Sequence, residues 1–295
     1  RPERMQIVFH IILHCTNAER LLKTLLKNNE VFAAEGIAVP GPGKYRNLLR
    51  DTMQNLKGQV PAPNTRDILL DAILDDAPAE RMVLSNSNFI CIPGRIFRDS
   101  QFYPQAGQRA QTFASIFPDD QLELFMGLRN LATFVPAAFR ATKHDDFPTF
   151  LNNTPMEELR WSNVVARIKE AVPNASLTIW CNEDTPLIWA QLVREISGVD
   201  PLTKITGGFD LMSAIMSNEG MQRFLSYIKS HPPQSENQKR RIMAAFMDKY
   251  AIDDEVEEEV DLPGWTDEVM DFLTEIYEED IDIIQSMPGV TVITP

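Results

Sequence analysis

The chain has 295 residues, 44% of them hydrophobic, enough to bury a large core as one α/β domain or two smaller ones; with no linker-like stretch, a single domain over 1–295 is expected. The net charge of −14 is uneven: residues 251–295 hold 15 of the 42 acidic residues and no Lys or Arg, leaving 28 basic against 27 acidic residues before them. A near-neutral body without a basic stripe excludes a long nucleic-acid footprint but not a small anionic ligand, and no run reaches the roughly 18 apolar residues of a membrane helix.

Gln6 to Leu13 is a nearly continuous apolar run rich in Ile and Val, which predicts a strand covered on both faces in a parallel sheet. Arg1 and Arg4 ahead of it imitate a signal peptide, but His10 interrupts the run and no small-residue cleavage site follows; the three scattered cysteines fit reduced thiols in a cytoplasm, and a cytoplasmic protein is expected. Thr16-Asn17-Ala18-Glu19 then introduces Leu21, Leu22, Leu25 and Leu26 at helical spacing. The apolar piece Gly36 to Val39 closes on the loop Pro40-Gly41-Pro42-Gly43. Thr65 caps a predicted helix carrying Ile68, Leu69, Ile73 and Leu74. Met82 to Ser85 and Leu122 to Leu128 read as buried strands, with a helix through Ala110, Phe113, Ile116 and Phe117 between them. A helix around Val164, Val165 and Ile168 precedes a strand at Ser176 to Cys181, and Thr185-Pro186 starts another helix that Gly198 ends.

The last third reads as helical, with faces marked by Phe224, Leu225 and Ile228, then Ile242, Phe246 and Met247, then Phe272, Leu273 and Ile276. Met212, Met216 and Met221 are expected to pack as core or lid, and Val290 to Ile293 to return as a short strand. Strands alternating with helices predict a three-layer α/β/α fold around a mostly parallel sheet, with a helical C-terminal third. The acidic run Asp253 to Glu259 reads as a solvated loop, with a protein partner for the acidic C-terminal region as the alternative.

Cys15, Cys91 and Cys181 are far apart with no C-x-x-C spacing, against a disulfide framework or a zinc site, and no metal ligand set is expected. The chain has no H-E-x-x-H, G-x-S-x-G or G-x-G-x-x-G. His14, after the first strand, could accept a proton from a hydroxyl or simply close the strand end; His10, inside the run, reads as a satisfied core residue. Tyr45, Arg46 and Arg50, after the Pro/Gly loop, could line a substrate cleft or form surface ion pairs. Arg140, Lys143 and His144 form a local basic cluster that Asp145-Asp146 partly neutralises.

The segment His10-Ile-Ile-Leu-His14-Cys15-Thr16-Asn17-Ala18-Glu19 lies where a strand hands over to a helix, where α/β folds set anions against backbone N–H groups. With Ala34 to Pro40, the serine-ended strand near Ser85 and Leu128-Arg129, it resembles the bacterial sulfotransferase-like family of the P-loop fold. The resemblance covers most of the chain, with no motif intact. It implies donor contacts at Cys15, Thr16, Asn17, Ala18, Glu19, Arg129 and Ala137, with 3′-phosphoadenosine 5′-phosphosulfate as donor, a hydroxylated small molecule as acceptor and His14 as base. Cys15 stands at the family's phosphate-binding lysine, Asn17 at the loop glycine, Ala18 and Glu19 at the two threonines, and Ala137 at the serine that partners the arginine. Asn17 tolerates the left-handed backbone of the missing glycine, Thr16 with Glu19 forms a capping-box pattern, and Arg129 has Asp119 or Asp120 as alternative partners. Two readings follow: a divergent transferase, or a binding or interaction domain that keeps the fold without the donor site and requires no cofactor.

Overall fold

In the computed structural model, residues 2–252 and 261–295 are described, and the run Asp253 to Glu259 lies outside them. Six strands form the main sheet, β1 (Gln6–Ile11), β2 (Ile37–Ala38), β3 (Arg81–Asn86), β6 (Gln121–Leu128), β7 (Ser176–Cys181) and β8 (Val290–Ile293); β4 (Phe97–Arg98) and β5 (Gln101–Phe102) make a small antiparallel hairpin. The sheet order is β2-β3-β1-β6-β7-β8, with every pairing parallel. The chain builds to one side of β1 and then crosses to the other, so the order reverses between β1 and β6, and the crevice at their C-terminal ends is where such sheets place ligands.

Alternate residues of each strand face opposite layers. Ile7, Phe9 and Ile11 with Met82, Leu84, Leu124 and Met126 face one core. That core is covered by α3 (Arg46–Leu56), α4 (Thr65–Leu74), α5 (Ala106–Ile116), α6 (Leu131–Arg140), α7 (Phe147–Leu151), α8 (Trp161–Ala171) and α13 (Asp267–Gln285). Val8, Val83, Phe125 and Trp180 face the other, under α1 (Ala18–Lys27), α2 (Asn29–Ala33), α9 (Thr185–Ser197) and α10 (Asp210–Ile215). The expected three-layer architecture with a mostly parallel sheet is therefore the one the chain adopts. Beyond α10, α11 (Asn218–Ser230) and α12 (Glu236–Tyr250) pack around Met212, Met216, Phe224 and Met243, so two of the three methionines are fully core and Met221 packs against them.

The helix faces differ from the sequence reading in places. Ile68, Leu225 and Phe272 are exposed, and Asn64 rather than Thr65 precedes α4. Pro186 in the first turn of α9 and Gly198 after its end behave as expected; Gly198 sits at φ +68°. No helix among the described residues is long and apolar enough to cross a membrane.

Candidate functional site

The segment between β1 and α1 reaches the switch point, but its polar groups turn inward. Cys15 is the residue in the left-handed region, at φ 56°, whereas Asn17 stands at φ −80°, so the turn lies two residues before the predicted glycine equivalent. The predicted capping box does not form: Thr16 Oγ1 donates to Leu13 O at 3.0 Å, and the helix start has no side-chain cap. Glu19 instead pairs with Arg46 from α3 at 3.0 Å. A tertiary cation outcompeted the local bond, because a carboxylate gains more from a guanidinium than from a neutral backbone donor. Asn17 N donates to Asn182 Oδ1 at 3.0 Å and Asn17 Nδ2 to Thr185 Oγ1 at 3.3 Å, tying the loop to the end of β7 and the start of α9.

Arg129, at the end of β6, crosses the switch point. Its Nη1 donates to Cys15 O at 2.8 Å and its Nε to Thr133 Oγ1 at 3.1 Å. Neither Asp119 nor Asp120 pairs with it; Asp120 is taken by Arg66 from α4 at 2.6 Å. Thr133, in the first turn of α6, is the hydroxyl that partners Arg129 here. Burial pushes the Cys15 thiol up, and the charges of Arg129 and then Arg140 oppose that shift, so two arginines act at this loop. Burial also lowers the Arg129 pKa, against the pull of Cys15 and Glu183. Glu183 closes the far side: it accepts from Asn130 N at 2.7 Å and from Tyr277 OH at 2.9 Å.

Beneath Arg129 lies Trp161, fully buried among Phe102, Tyr103 and Phe134, its Nε1 donating to Arg129 O at 2.7 Å. Trp161→Phe keeps most of the packing but leaves that carbonyl without its donor, and we expect a loss of about 1–2 kcal/mol. Urea denaturation measures it, and an unchanged midpoint would show that the bond contributes nothing.

His14 is held at both ring nitrogens, Nδ1 at 2.5 Å from Tyr103 OH and Nε2 at 3.0 Å from Asn88 Oδ1. Asn88 Oδ1 can only accept, which assigns the ring hydrogen to Nε2 and makes Tyr103 OH the donor to Nδ1. Burial lowers the His14 pKa, partly offset by Asn88 and by the Cys91 backbone, so the ring is neutral at pH 7. Tyr103, fully buried and at φ 46°, is pushed well above the usual phenol range by burial. His10 is satisfied on one side only: Ser85 Oγ lies 3.2 Å from Nδ1, while Nε2 has no protein partner. It borders a hollow of about 10 Å³ with Thr16, Asn17, Asn182 and Thr185.

Tyr45, Arg46 and Arg50 separate. Tyr45 is fully buried and reads the end of β3, its OH donating to Ser85 O at 3.0 Å and accepting from Ser85 N at 2.9 Å, so it lines no cleft. Arg46 also donates from Nε to Ser85 O at 2.9 Å. Arg46 and Arg50 do border a cleft of about 420 Å³ beside the C-terminal end of β3, joined there by Arg95, Arg109, Asn86, Asn88 and Gln105. Arg95 and Arg109 escaped the sequence reading: they sit on a short helical turn and on α5, and no local pattern links them to α3. Among the described residues no group of three His, Cys, Asp or Glu side chains is placed to hold a metal ion, and the three cysteines are free thiols.

No protein-family profile matches the chain, and no curated protein matches it. Among solved structures it is similar to retinol dehydratase, determined in a complex with retinol and PAP, with a TM-score of 0.32 and 11% sequence identity over 95% of this chain and 82% of that one.

Proposed function

We propose that the chain is a sulfotransferase-like domain that works by binding and does not transfer a sulfuryl group. The observation that carries this reading is the inward turn of the switch-point loop. The carbonyl of Cys15, not an array of N–H groups, faces the Arg129 guanidinium. The N–H of Asn17 is taken by Asn182, and the carboxylate of Glu19 stands in the first turn of α1, where a donor phosphate would need positive potential. These residues do not fit 3′-phosphoadenosine 5′-phosphosulfate: bound there, it would have to displace Asn182 and the Cys15 carbonyl and tolerate Glu19. Arg46, which reaches the first turn of α1 from α3, is paired with that same Glu19.

Sulfuryl transfer to a hydroxyl is the second reading, favoured by one observation, the Arg129 guanidinium 2.8 Å from Cys15 O at the switch point, with the charge of Arg140 acting on the same loop. Their charge would favour the donor phosphates, and His14 as base would have to give up the Tyr103 hydrogen bond at Nδ1. Isothermal titration of the folded protein with 3′-phosphoadenosine 5′-phosphate decides between the two. The binding reading expects no saturable heat that depends on Arg129 up to about 1 mM ligand. Saturable binding that Arg129→Ala abolishes would overturn it and restore the transferase reading.

A further inference from the structure

The cleft beside β3 has an unusual electrostatic make-up for a chain of net charge −14. Its wall carries four arginines, Arg46, Arg50, Arg95 and Arg109, and no carboxylate. Two of the four have partners. Arg46 is fixed by Ser85 O and Glu19, and Arg50 lies 3.2 Å from its neighbour Asp51, an exposed pair that neutralises little in water. Arg95 and Arg109 make no side-chain hydrogen bond or ion pair among the described residues.

The arrangement is built by rigid elements. Arg46 and Arg50 are one helical turn apart on α3, whose Leu49 and Met53 are anchored in the core. Arg109 stands on α5 and Arg95 ends the turn Pro93–Arg95. Both line the cleft with the buried Cys91, and their charges oppose the burial that pushes its thiol up to about 12. Gln105 and Asn86 add neutral polar groups. Like charges gathered on one concave wall repel one another, and an oxyanion placed among them removes that repulsion while accepting forked N–H bonds.

We infer that this cleft binds a small molecule bearing at least two oxyanionic charges. A volume of about 420 Å³ accommodates a compact ligand, and the polar wall favours its anionic groups over an apolar body. The inference deepens the binding reading given above, and its residues are distinct from Arg129 and the switch-point loop.

Calorimetric titration of the full chain with inorganic pyrophosphate, and separately with citrate, tests it and tells a phosphate-bearing ligand from a carboxylate-bearing one. Saturable binding of at least one of them is expected, weakened about tenfold or more by Arg95→Gln and by Arg109→Gln and unaffected by Arg129→Ala. Circular dichroism melting of each variant confirms that a lost signal comes from folded protein, as expected for side chains that make no bond in the fold. The inference is overturned if neither anion gives saturable heat at about 10 mM, or if the Arg95→Gln/Arg109→Gln double variant binds as the parent does. It also falls if Arg129→Ala alone removes binding, which would put the anion at the switch-point loop and sink the inward-turned loop with it.

Discussion

Arg81→Ala is expected to destabilise the fold by about 3–5 kcal/mol, a large share of the stability of any single domain. Arg81 opens β3 with its side chain only 8% exposed and ties together three elements at the sheet's N-terminal edge. Nη1 donates to Gln6 Oε1 on β1 and to Glu123 on β6, and Nη2 to Ile196 O, one of the last carbonyls of α9, where the helix dipole favours a cation. Gly198 leaves room for it, since a Cβ there would lie 2.8 Å from Arg81 Nε. Removing the guanidinium leaves Glu123, 19% exposed, without its counter-charge and the end of α9 without its donor.

The substitution can be separated from simple loss of bulk. Arg81→Met combined with Glu123→Gln removes both charges and should recover much of the loss, because the unpaired carboxylate is the costly element. Urea denaturation gives both values. If the double variant is no more stable than Arg81→Ala, the cost lies in packing and in the α9 carbonyls, and the ion pair is incidental. Because Arg81 stands at the opposite end of the strands from the arginine cleft, the folded fraction should bind anions as the parent does.

The long buried strands were legible because parallel strands covered on both faces must be apolar at every position, a signal that needs no partner to be read. Ser176–Cys181 and Val290–Ile293 stand where the sequence places them, and Pro186 and Gly198 bound α9 by backbone chemistry that is local by nature. Where the determinant was distant, the reading failed. Glu19 matched a capping box, yet its partner is Arg46 on another helix. Pro136 hid α6, which tolerates it mid-helix on a buried face. The hairpin of β4 and β5 has two residues per strand, too short for any period. Tyr45 was grouped with Arg46 and Arg50 by proximity in sequence, although helix geometry sends it into the core. The cleft itself draws arginines from α3, a turn and α5, a convergence that only the tertiary fold creates.

His10 makes the second large effect one of pH. It lies on β1 with no exposed surface, one nitrogen facing Ser85 Oγ and the other without a protein partner. Burial, and then the charge of Arg46, lower its pKa from 6.5 to about 3. The folded protein therefore keeps this ring neutral at pH values where the unfolded chain has already protonated it. Between the two pKa values the unfolded state binds the extra proton, so stability rises with pH across that window. The contribution is fully present above about pH 6.5 and fades as pH falls toward about 3, at up to about 1.4 kcal/mol per pH unit. His10→Gln removes the titration while keeping a hydrogen-bonding group near Ser85. Unfolding free energies of both proteins, measured in urea from about pH 4.5 to 7.5, should converge as pH falls, the parent losing stability more steeply than the variant. Parallel curves would mean that the fold leaves the His10 pKa near its unfolded value, so that the ring beside the 10 Å³ hollow it shares with Thr16, Asn17, Asn182 and Thr185 charges as readily in the folded state as in the unfolded chain. A charged imidazole there would put positive potential behind the switch-point loop, and the case against an anion at that loop would have to be reopened.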